Sequence, residues 1–172
     1  MYKKKGYVLI NRREGQSFVV YPVSRKNDDT IVKVKLIYVD ECCGETKLVL
    51  SLSDAYRVFN EQQDGSREEA KPKKTDGKNK RGVIISRKEG ESFFLTHNGD
   101  EIEVLLNCIR EYHNDGERAG WVRFAIRDSR RHYVVLREEL LDRARDQSTS
   151  SRKKPVKRFK NLDEVLDEIK VF

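Results

Sequence analysis

The sequence predicts a mainly β protein made of two copies of one small unit. Three observations predict it. Residues 8–18 read VLINRREGQSF and residues 83–93 read VIISRKEGESF, with seven of eleven positions identical at an offset of 75 residues. Residues 56–61 read YRVFNE and residues 133–138 read YVVLRE, in the same order and at an offset of 77. Between these matches the apolar residues alternate with a period of two, the period of strands rather than helices. Two ordered matches at nearly one offset indicate a duplicated unit, and chance is a poor explanation for the first match alone.

Each unit reads as five strands. Val8–Ile10 and Val83–Ile85 are short β-branched runs that end in Arg-rich, Gly-containing turns. Gly15 and Gly90 stand where a tight turn needs positive φ. Second strands start at Ser17 and Ser92, and Asn98-Gly99 signals a two-residue type I′ hairpin. The third strands alternate Val32, Val34, Leu36, Tyr38 in one unit and Ile102, Val104, Leu106, Cys108 in the other, which predicts a buried Cys108. Fourth strands are expected at Lys47–Leu52 and Trp121–Ile126, and short fifth strands at Tyr56–Phe59 and His132–Leu136. A helix is expected only after the second unit, over Arg137–Arg145.

The chain divides accordingly into a first repeat (6–61), a flexible basic linker (62–81), a second repeat with its helix (82–146) and a basic tail (147–172). The tail carries Arg152, Lys153, Lys154, Lys157, Arg158 and Lys160, then Leu162, Val165, Leu166 and Ile169 at the spacing of an amphipathic helix.

Charged residues make up 38% of the chain and the net charge is +7, a balance that favours a polyanionic partner. The apolar run Tyr7–Ile10 is too short for a signal peptide, and no stretch approaches the roughly 20 apolar residues of a membrane span. A cytoplasmic protein is expected, with Cys42, Cys43 and Cys108 as reduced thiols. His97, His113 and His132 are scattered and suggest no metal site. No nucleophile–base set, phosphate loop or carboxylate pair has a supporting motif, so the chain is read as a binding protein rather than an enzyme, without cofactor. Trp121 and the other strand aromatics read as core residues.

The aliphatic strand followed by Asn/Ser-Arg-Arg/Lys-Glu-Gly-Gln/Glu-Ser resembles the start of carbon storage regulators of the CsrA/RsmA type. Val135-Leu136-Arg137-Glu138-Glu139-Leu140 resembles that family's junction between fifth strand and helix. The resemblance covers residues 6–60 and 82–146. It implies an intertwined dimer, here a single-chain pseudo-dimer, in which strand one of one unit pairs beside strand five of the other. A linker of about 20 residues reaches about 25 Å, enough to allow this within one chain. It also implies that those paired edges bind GGA-containing mRNA leaders or small regulatory RNAs and that translation or mRNA stability is thereby controlled, and it leaves room for a protein antagonist.

By the same resemblance one RNA site joins Ile10, Arg12 and Arg13 to Val135, Leu136 and Arg137. The other joins Ile85, Arg87 and Lys88 to Val58, Phe59 and Asn60. The family's strand-five arginine is matched by Arg137 but replaced by Asn60, and its histidine is replaced by Leu136 and Phe59. Asparagine has neither the charge nor the reach of arginine, so the second site is expected to be degenerate. The alternative function is a protein-interaction module that kept the fold and lost specific RNA binding. A tail that binds anionic membranes is a weaker third reading.

Overall fold

The computed structural model describes residues 6–24, 30–71, 81–141 and 143. The basic tail and its amphipathic helix lie outside the described residues. Among the described residues eleven strands run in order: β1 (Tyr7–Arg13), β2 (Ser17–Pro22), β3 (Val32–Asp40), β4 (Glu45–Leu52), β5 (Arg57–Glu61), β6 (Arg67–Glu69), β7 (Arg81–Lys88), β8 (Ser92–His97), β9 (Asp100–Asn114), β10 (Glu117–Asp128) and β11 (Tyr133–Arg137). A short helix, α1, follows at 138–141 and 143.

The strands form two antiparallel sheets, the mainly β architecture that the sequence predicts. β2, β3 and β4 make a meander flanked by β11 and β7, in the order β11-β2-β3-β4-β7. β8, β9 and β10 make the matching meander, in the order β1-β10-β9-β8-β5-β6. Each meander is therefore completed by the first and last strands of the other copy of the repeat. The inner faces of the two sheets share one core, in which Phe18 and Phe124 meet at 5.1 Å. Ile10, Ile85 and Val58 are buried in that core from the exchanged strands. Burying each such side chain is worth about 1.5–3 kcal/mol, so withdrawing one exchanged strand uncovers the core that both sheets share. A second, smaller cluster of Val19, Ile31, Leu136 and Leu141 lies beneath α1.

The duplicated motif is largely a scaffold for this arrangement. Gly15 and Gly90 both take φ of +84°, and both donate to the third strand, at Leu36 O (2.7 Å) and Leu106 O (2.8 Å). Glu14 accepts from Val39 N and Glu89 from Ile109 N, at 2.9 and 2.8 Å. Each of those amides follows a β-bulge, at Ile37 in β3 and at Asn107 in β9. The bulge removes an amide from the ladder, and the motif glutamate satisfies it.

The bulges also correct the sequence reading. An extra residue swaps the faces beyond it. Val39 and Ile109 are buried, whereas Tyr38 is exposed and Cys108 only half-buried. The linker reading is corrected as well, because its first part is a hairpin. Gln62 N donates to Ser66 O, Asp64 Oδ1 accepts from Ser66 N at 2.9 Å, and β6 pairs with β5. Arg81 begins β7.

The second repeat match places a tyrosine at the start of each fifth strand, Tyr56 just before β5 and Tyr133 opening β11, and the two meet at His97. Tyr56 stacks on the imidazole at 4.3 Å, and Tyr133 Oη lies 2.7 Å from Nδ1. Burial holds the His97 pKa below its ordinary value, against the opposing pull of Asp100. The folded state therefore disfavours the proton that the unfolded chain accepts near pH 6.5. Stability should fall as pH drops below about 6.5. Thermal melts between pH 7.5 and 5 should show this loss, and His97→Phe should remove it.

Candidate nucleic-acid interface

Among the residues singled out from sequence, the structure separates packing from exposed groups. β1 and β11 do not form a common ladder, which corrects the expectation that strand one pairs beside strand five. β1 bonds to β10 and β11 to β2, in different sheets. Both are edge strands, so each has a row of main-chain groups with no strand partner in its own sheet. Ile10 belongs to the core, Leu136 to the cluster under α1, and Val135 packs half-buried against the core. These side chains hold the edges in place and leave only their main chain to a ligand.

Arg12 links the two edges. It is 4% exposed, although arginine is seldom buried without a partner. Its Nη1 donates to Ser17 O at 3.2 Å and to both carboxylate oxygens of Glu139 at 3.1 and 2.9 Å. Burial raises the Glu139 pKa, but the Arg12 hydrogen bond and charge outweigh it and hold the carboxyl below its ordinary value. Lys33 pairs with the neighbouring Glu138, so two carboxylates at the start of α1 are tied to β1 and β3. Arg12 is thus a clamp between β1 and α1, with its guanidinium turned away from solvent.

Glu139→Ala should cost about 1–2 kcal/mol in denaturant unfolding. That is below the usual 3–5 for breaking a buried pair, because Glu139 is half-exposed and water can replace it. Glu138→Ala should cost under about 1 kcal/mol, since both partners of that pair are 40% exposed.

Two further arginines lie on these edge strands. Arg13 is exposed, and its guanidinium forms no ion pair among the described residues. Arg137 is half-buried at the end of β11, opposite Phe18, and its charge acts on Glu139.

The second set of residues is arranged differently. Arg87 repeats the Arg12 geometry, with Nε on Ser86 O at 2.7 Å, but its Nη1 goes to Glu61 O at 3.0 Å. Ile85 and Val58 are core residues, Phe59 is half-buried and Lys88 is exposed. β5, unlike β11, is not an edge. β6 covers it, pairing Phe59 with Glu69, Asn60 with Glu68 and Glu61 with Arg67. Arg57–Glu69 and Arg67–Glu101 ion pairs fasten β6, and the Arg67 guanidinium lies 3.8 Å over the Phe94 ring. Asn60 Oδ1 is buried, with no hydrogen-bond partner among the described residues.

Sequence reasoning missed the surroundings of Arg13. Trp121, expected in the core, is half-buried on the outer face of the six-stranded sheet, directly opposite Arg13. The signal was present in the alternation: Gly120, Val122 and Phe124 are buried, and Trp121 and Arg123 point the other way.

No described group of His, Cys, Asp and Glu is arranged to hold a metal. No described helix is long and apolar enough to cross a membrane. No family model matches the chain, nor does any curated protein or solved structure.

Proposed function

We propose that the chain is an RNA-binding post-transcriptional regulator built as a single-chain CsrA/RsmA-like pseudo-dimer with one open site. The observation that carries this reading is the strand exchange. It leaves β1 and β11 as open edges joined through Arg12 and Glu139, with Arg13 and Arg137 beside them. An unpaired RNA loop is read by main-chain groups at strand edges and by base-edge hydrogen bonds, while arginines hold its phosphates. The net charge of +7 suits such a partner. Binding across a ribosome-binding site would block initiation, the consequence the family resemblance implies. The pseudo-dimer part predicts a particle with the mass of one chain in solution.

The test is a gel-shift titration with a GGA hairpin and a GGA→CCA control at physiological salt. Tight binding of the first and loss with the second are expected. Equal, weak binding of both would eliminate specific readout. One observation favours a second reading: β5 already accepts a strand from β6. The open edge of β11 is chemically able to accept a partner's strand in the same way. Failure of both RNAs to bind would favour that protein-interaction module.

A further inference from the structure

The outer face of the six-stranded sheet carries an aromatic and basic surface that the fold does not require. Tyr112 is 57% exposed and stacks beside Trp121, with ring centroids 6.1 Å apart and planes 22° from parallel. The strand register puts Arg13 on one side of Trp121 and Arg110 on the other. Arg123 follows two residues along, its guanidinium 5.9 Å from the indole centroid. An open groove of about 660 Å³ runs between Arg13 and the two rings.

The other sheet shows that packing does not demand this set. There β4 and β7 repeat the register of β10 and β1: Glu45 faces Lys88 as Trp121 faces Arg13, and Lys47 faces Ser86 as Arg123 faces Asn11. The same position thus holds a glutamate in one sheet and the chain's single tryptophan in the other. An exposed Tyr112 stacked on a half-buried Trp121 costs solubility and offers the core nothing.

We propose that this surface stacks unpaired nucleotides of RNA that continue past the β1–β11 edge. Tyr112 and Trp121 supply faces for bases, which every base can use whatever its sequence. Arg13 and Arg123 supply the charge for the phosphates between them. Asp115 and Glu117 line the groove at the hairpin tip and repel a phosphate there, which directs the strand along β1 instead. Arg13 belongs both to the edge and to this face, so the two surfaces are continuous. The inference rests on the RNA-binding reading and adds a contact for single-stranded flanks.

Because Trp121 is the only tryptophan, its emission reports stacking directly. The probes are a GGA hairpin without flanks, the same hairpin with an eight-uridine single-stranded flank, and that flank paired into a duplex. Only the single-stranded flank should quench Trp121. Trp121→Glu, which installs the residue of the matching position, and Tyr112→Ala should each weaken the flanked RNA by roughly 5- to 150-fold. Both should leave the unflanked hairpin unchanged. If the flanked hairpin binds without quenching and both variants bind it normally, the stacking surface is wrong and the edge site stands. If neither hairpin binds the wild-type chain, the RNA reading fails and this inference with it.

Discussion

Arg137→Ala should weaken binding of a GGA hairpin by roughly 5- to 150-fold, the 1–3 kcal/mol of a forked arginine contact, whereas Asn60→Ala should leave it unchanged. The two residues occupy matched positions on the fifth strands, so the comparison isolates what each edge offers. Arg137 ends a strand whose outer edge is open. Asn60 is paired with Glu68 of β6, and a ligand would have to displace that strand first. Displacement also breaks the two ion pairs that fasten β6 and lifts Arg67 from Phe94. Calorimetric titration should accordingly give one RNA per chain. Melting the Arg137→Ala chain alongside the wild type separates lost contact from lost structure. Equal losses at both positions, or two RNAs per chain, would sink the one-site reading.

The backbone plan was legible because it rests on local signals. Period-two alternation located the ten strands of the two repeats, and Asn98-Gly99 does form a turn, with φ of +50° and +78°. What was illegible depends on partners distant in sequence. A bulge at Ile37 or Asn107 leaves no mark on alternation until one strand is laid against the next. β6 reads Arg-Glu-Glu, with no apolar residue to announce a strand, and it exists because β5 offers an edge and Arg57 and Glu101 offer counter-charges. The family resemblance placed Arg12 at an RNA-binding edge, but Glu139, 127 residues away, makes its burial affordable. The sequence singled out the motif arginines as a group, and it had no means of separating the clamp Arg12 from the exposed Arg13.

Gly120→Ala should lower stability by about 3 kcal/mol, the upper end of the usual cost of overpacking. This glycine is needed for space. A Cβ there would lie 2.5 Å from Val39 Cβ and 2.7 Å from Glu14 Oε1. Contacts between carbons settle near 3.5–4.0 Å, so β10 and β3 would have to separate by about an ångström. Val39 cannot turn aside, because its clashing atom is bonded directly to the backbone. Separation would strain the bond from Glu14 N to Gly120 O at 3.0 Å and that from Val39 N to Glu14 Oε1 at 2.9 Å. The second of these satisfies the bulge amide, so the damage reaches both sheets. For a chain of this size the melting temperature should drop by roughly 6–12 °C. A double-mutant cycle distinguishes this cause from a general effect. Val39→Ala keeps the clashing Cβ and should not rescue Gly120→Ala. Val39→Gly removes it and should recover part of the loss, despite its own cost as a glycine in a strand.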